Sequence, residues 1–192
     1  SPSFHSILSL RTTLMNSMKP SVQYFPLEEH HFNDVVALAD EAIGLHYYSK
    51  QDLQSLRKRS VYQGKNLSFV AYQEERCVGF RFTCSPGNWE HGRGVGLSPQ
   101  KWTFPLSETA YFQSCFVASS VMGQGVGRQL SHAALDALRQ ANVPQVVAHS
   151  WKESPHQSSF RYLSKLGFTT VVEYPRYWEQ VDYICPRCGH PC

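Results

Sequence analysis

Apolar, β-branched and aromatic residues gather in short runs at Val22–Phe25, Leu67–Tyr72, Cys77–Thr83, Ala110–Val117, Gln145–His149, Thr169–Glu173 and Tyr177–Tyr183, which read as strands. Four other segments repeat at the helical period. The first, Glu28–Ile43, sets Phe32, Val35, Val36, Ala39 and Ile43 on one face and stops at Gly44. The second, Lys50–Val61, follows a variant capping box in which Asp52 stands three residues after Ser49. The third, Gly125–Ala141, carries a stripe of Val126, Leu130, Ala133, Ala134, Ala137 and Ala141, small residues suited to close packing on a sheet. The fourth opens with Ser154 as cap, Pro155 in the first helical position and Gln157 in the capping-box position. It buries Phe160, Leu163 and Leu166 and stops at Gly167.

The order β-α-α-β-β-β-α-β-α-β-β predicts a mixed α/β fold with one sheet, spanning residues 21–183 as a single domain. Residues 1–20 read as an extension and residues 184–192 as a cysteine-rich tail. A chain of 192 residues with 42 % hydrophobic content suits one core. The formal charge of +3 is small and the basic residues do not segregate, so neither a nucleic-acid footprint nor a membrane patch is expected. Arg57, Lys58 and Arg59 read as a solvated helix face. No apolar run approaches the ~18 residues of a spanning helix, and the opening residues lack the apolar core of a secretory signal. A cytoplasmic protein with reduced thiols is therefore expected, as a monomer or homodimer. The opening segment, rich in Ser and Thr and free of acids, leaves a transit peptide, a tag and upstream read-through open.

Chemistry concentrates at Gly123-Gln124-Gly125-Val126-Gly127-Arg128, which follows the run Ala110–Val117 and leads into the third helix. Glycines let successive N–H groups turn into one concavity and the helix start adds partial positive charge, a cradle for a pyrophosphate to which Arg128 can add a side-chain charge. Gly92, Gly94 and Gly96 repeat the spacing but lead into no helix, and read as a flexible loop. A dinucleotide fold is disfavoured because its glycine turn follows the first strand of a βαβ unit.

With its order of elements, the stretch from Val117 to Gly127 resembles the signature of the GNAT superfamily of N-acetyltransferases, and Phe160–Phe168, ending in Leu-Gly-Phe, is similar to that family's second signature. The resemblance implies transfer of an acetyl group from acetyl-CoA to a primary amine of a small molecule or peptide by direct attack on the thioester. It implies that Gly123, Gln124, Gly125, Val126, Gly127 and Arg128 hold the CoA pyrophosphate. Phe116 and Val117 would lie where this strand splays from the next and meets the pantetheine arm, with an N–H near Val117 facing the oxyanion. Met122 replaces the usual Arg or Gln, His156 stands where Asn is frequent, and Leu163 stands where many members carry the acid tyrosine. These departures keep a second reading open, a non-catalytic module that binds acyl-CoA.

Tyr162, one step from the usual site and so ~100° round the helix, is the candidate acid. Glu108 and His149 are candidate bases, although Tyr111 and Gln113, not Glu108, share the face of Val117 by alternation. Cys115 reads as a buried strand cysteine. The segment Ser85–Leu106, rich in Gly and Pro and holding Trp89 and Trp102, is the candidate acceptor loop. In the tail, Cys185 and Cys188 have a zinc-knuckle spacing, with His190 and Cys192 as further candidate ligands of a structural zinc.

Overall fold

The computed structural model describes residues 20–89, 98–150 and 158–173. Its strands are β1 (Val22–Pro26), β2 (Val61–Tyr62), β3 (Lys65–Asn66), β4 (Phe69–Gln73), β5 (Arg76–Cys84), β6 (Thr109–Val117) and β7 (Gln145–Ala148). Its helices are α1 (Phe32–Ala42), α2 (Lys50–Ser60), α3 (Val126–Gln140) and α4 (Ser158–Lys165). The main sheet runs β1-β4-β5-β6-β7, antiparallel except for the parallel pair β6–β7. The long apolar run becomes the centre of this sheet, because a strand covered on both faces need not alternate with polar residues. From Cys77 onward every residue of β5 is buried.

Pleating divides β5 between two layers of helices. Gly79 and Arg81 face α3, whereas Phe80 meets Tyr48 in the α1–α2 connection and Phe82 lies under the Arg59 guanidinium of α2. A Cβ at Gly79 would stand 2.9 Å from Leu130 Cδ1 and 3.1 Å from Val126 Cγ1, so α3 rests directly on the strand. The start of α2 is held by the expected box: Ser49 Oγ accepts from the Asp52 N–H at 3.0 Å and Asp52 Oδ2 accepts from the Ser49 N–H at 2.8 Å.

Three local readings change. The α3 stripe includes Ser131 and Leu138, while Ala133 and Ala137 are only half-buried, because contact with a twisted sheet follows the i, i+4 row through Val126, Leu130, Ala134 and Leu138. The β2–β3 hairpin is too short for any alternation to announce, and it turns through Gln63 and Gly64, both at positive φ. Thr169–Glu173 forms no strand with the described residues. Its expected neighbour Tyr177–Tyr183, the helix start at Ser154–Gln157, the glycines Gly92–Gly96, the opening segment through Lys19 and the cysteine tail lie outside the described residues.

Candidate active site

Strand β6 has two halves with different edges. From Thr109 to Phe112 it pairs with β7, the last partner being Ala148, and thereafter β7 departs. On its other edge β6 stays bonded to β5 as far as Val117, opposite Gly79. The register to β5 slips between Phe82↔Ser114 and Thr83↔Phe112, which leaves Gln113 as a bulge at the point where the strands part. Because the Ala118 N–H donates to Val78 O at 2.8 Å, strand alternation turns the Val117 and Cys115 N–H groups toward the open edge.

Above that open half lies the glycine turn. Gly123 and Gly125 both sit at φ +79°, the left-handed conformation that glycine adopts without a Cβ penalty, and Gly125 is the N-cap of the fifteen-residue α3. The unpaired N–H groups of a helix start, with the positive end of its dipole, favour an anion here. A Cβ at Gly127 would meet Val117 Cγ2 at 3.6 Å and Cys115 Sγ at 3.7 Å, so the first turn of α3 covers the open edge closely. Arg128 is exposed and folds back toward the turn, with Nη2 3.7 Å from the Cβ position of Gly125.

Between α3, α4 and the parted strands runs a groove of about 870 Å³. Its lining includes Arg81, Arg128, Arg161 and Lys165 and, among the described residues, no carboxylate. A concave wall of one sign draws an anionic ligand. The sequence-predicted residues Val117, Gly123 to Arg128, His149 and Tyr162 come together on this groove. Two others do not. Phe116 turns to the opposite face against Phe80 and Tyr48, and Glu108 is exposed at the far start of β6. His156, Cys185, Cys188, His190 and Cys192 lie outside the described residues, and no metal-ligating cluster occurs among the described ones.

On α4, Leu163 is 8 % exposed and packs with Ala110, Phe112, Ala134 and Leu138. One residue earlier, about 100° round the helix, Tyr162 lines the groove as Leu163 does but turns its hydroxyl toward β5 and α3. Its hydroxyl donates to the Gly127 carbonyl at 2.9 Å, accepts from Arg81 Nη2 at 2.9 Å and touches the Ser131 hydroxyl. Burial pushes its pKa up to about 12, the Arg81 charge working in the opposite direction, so it keeps its proton at neutral pH. The partners Arg81 and Ser131 were not singled out from the sequence. A lone charge in the otherwise apolar run Cys77–Thr83 was the available signal.

On the other side of the strand gap, His149 Nδ1 and the Tyr111 hydroxyl share a hydrogen bond of 2.8 Å. Burial pulls the His149 pKa down to about 4, leaving the imidazole neutral at pH 7. Tyr111 stacks on Trp89, and Trp89 stacks on Trp102, with ring centres 4.8 Å and 5.6 Å apart. Trp89 Nε1 donates to Thr109 O at 2.9 Å, so both described ends of the Ser85–Leu106 segment are fastened beside β6.

Solved structures with the same fold include the aminoglycoside N-acetyltransferase AAC(6')-Iy in complex with a CoA bisubstrate analogue, at TM-score 0.59 and 15 % identity, covering 81 % of this chain and 95 % of that one. Ard1 from Thermoplasma volcanium superposes at TM-score 0.59 with 16 % identity over 83 % and 91 % of the two chains. The ribosomal-protein-S18-alanine N-acetyltransferase from Escherichia coli does so at 0.57 with 17 % identity over 82 % and 84 %. No curated protein sequence matches the chain. The acetyltransferase (GNAT) family model matches residues 33–168, which take in the glycine turn, the parted strands and α4, and the chain belongs to that family.

Proposed function

We propose that this protein transfers the acetyl group of acetyl-CoA to a primary amine by direct attack on the thioester. The observation that carries the reading is the parting of β6 from β7 beside the left-handed glycine turn, inside a groove whose described lining holds four cationic side chains and no acid. A pyrophosphate fits the N–H groups from Gly123 to Gly127, with Arg128 above them. The open edge of β6 offers the Cys115 and Val117 N–H groups to the pantetheine amides and to the oxygen of the thioester carbonyl, where negative charge develops. Positioning supplies much of the rate, since an amine held near the carbonyl reacts as if intramolecularly.

Proton traffic falls to the two sides of the strand gap. Tyr162, protonated at neutral pH, serves as donor to the departing sulfur. His149, neutral at pH 7 and set by Tyr111, is the better-placed acceptor for the amine proton than Glu108, which does not line the groove. The aromatic row Trp102, Trp89 and Tyr111 leads to His149 and supports Ser85–Leu106 as part of the acceptor side. Solved relatives bear names with aminoglycoside and protein acceptors, and both classes belong in the search.

The test follows thiol release from acetyl-CoA with a panel holding an aminoglycoside, polyamines and peptides with free N-termini. The expected result is acceptor-dependent release of CoA and an acetylated amine by mass. Acetyl-CoA binding without release for any amine would leave the acyl-CoA-binding module as the function.

A further inference from the structure

Arg81 is 3 % exposed and lines the groove, yet none of the ion pairs among the described residues includes it. Its partners are neutral. Nε and Nη2 donate to Ser131 Oγ at 3.1 Å and 2.9 Å, Nη2 also donates to the Tyr162 hydroxyl, and the guanidinium lies 4.3 Å from the Phe112 ring centre. A buried charge is ordinarily kept next to an opposite one, because desolvation is costly and neutral donors repay it incompletely. Here the charge is fixed in orientation by α3 and by Phe112 and presented to the place where β6 and β7 part. Such a group is arranged for an anion that appears during a reaction.

Resting on the acetyl-transfer reading above, we propose that Arg81 is a positioning residue for the leaving group: it holds the Tyr162 hydroxyl at the groove and stabilises the negative charge released when the thioester breaks. The amine nitrogen forms its bond to the carbonyl carbon, and the C–S bond breaks with its electron pair going to sulfur. Sulfur takes the Tyr162 proton, so the charge moves onto the phenolic oxygen, between Arg81 and Ser131. The new amide nitrogen passes its extra proton to His149, and water carries a proton from His149 back to Tyr162. One amide and one thiol result. Without the guanidinium, the charge would form beside Gly127 O and the Ser131 hydroxyl alone, in a buried setting that already holds the phenol protonated.

The sharp variant is Arg81→Gln, which keeps hydrogen-bond donors toward Ser131 and Tyr162 and removes the charge. Kinetics use the fastest amine of the panel. The expected result is a kcat reduced by roughly 10- to 100-fold, with the KM and calorimetric Kd for acetyl-CoA within about threefold of the parent. Arg81→Lys should recover most of that loss, and in a Tyr162→Phe background Arg81→Gln should cost less than about threefold more, since the two act through one contact. A parental kcat in Arg81→Gln, equal losses for Gln and Lys, or losses that multiply in the double variant would each overturn the proposal. So would acetyl transfer left intact with turnover of malonyl-CoA alone impaired, which would make Arg81 a receptor for an acyl carboxylate. If Arg81→Gln does not fold, Ser131→Ala releases the guanidinium from its anchor. It should lower kcat about three- to tenfold at unchanged acetyl-CoA affinity, and no change would overturn the proposal. A parent that binds acetyl-CoA but transfers to no amine defeats the acetyl-transfer reading itself, whereas a parent that turns over beside an equally active Arg81→Gln defeats this inference alone.

Discussion

The two halves of β6 differ in their edges: among the described residues, Thr109–Phe112 pairs with β7 and, at Tyr111 and Phe112, with β5 as well, whereas the remainder through Val117 pairs with β5 alone. The closed half carries Ala110 and Phe112, which pack against Ala134, Leu138 and Leu163, and its backbone is engaged by β7, by β5 and, at the Thr109 carbonyl, by Trp89 Nε1. The open half carries backbone donors that face no strand among the described residues, under a helix start and beside cations. A substitution against the closed half should therefore act on stability, and one against the open half on binding and turnover.

Gly125→Asp is the severest challenge to the open half. It places a side chain at φ +79° and a carboxylate where an anion should bind. Strain of ~1–2 kcal/mol together with the charge should weaken acetyl-CoA by roughly 100-fold or more, read by calorimetry. An unchanged affinity would remove the pyrophosphate from this turn. Tyr162→Phe comes next and should lower kcat by up to ~100-fold with little change in the KM for acetyl-CoA. A rate within twofold of the parent would give the proton donation to water.

His149→Gln is expected to act more mildly, about tenfold on kcat/KM, and it carries a sign that can be checked against pH. With a folded pKa near 4 against an ordinary value of 6.5, the unfolded chain binds the extra proton between those limits. Stability is thus complete above pH 6.5 and falls as pH is lowered toward 4, and it levels off below. The variant should lose that part of the slope in melting experiments at stepped pH. The smallest effect on binding belongs to Leu138→Ala, which opens a cavity against the closed half. Unfolding should become easier by about 2–5 kcal/mol, measured with urea, while the folded protein keeps its acetyl-CoA affinity. A large loss of affinity would mean that the two halves are not separable.

What could be read in advance divides along the same line. The glycine turn and the Leu-Gly-Phe ending were legible because both are local: a φ sign, a helix start and a helix stop are set by neighbouring residues. The parting of β6 and β7 is a property of register, decided by the Gln113 bulge and by where β7 ends, and neither leaves a mark in the hydrophobic pattern. Arg81 and Ser131 stand fifty positions apart and meet only because α3 lies on β5. Tyr162 stands one step from the position the resemblance implies, and rotation about α4 turns its phenol to Arg81 and Ser131 while Leu163 packs with Phe112 and Leu138.

Gly79 acts as a spacer gauge at the centre of the sheet. A Cβ at this position would press on the Leu130 and Val126 side chains, so the bare backbone of Gly79 lets α3 sit close on the sheet, opposite Val117 in the register. The N-terminal end of that same helix carries the glycine turn, and raising the helix by the width of one methyl group would lift the anion cradle away from the open strand edge. On the proposed reading, the spacing between the glycine turn and the open strand edge depends on a residue that lines neither, and donor selectivity should be tunable from beneath the site by a change at Gly79.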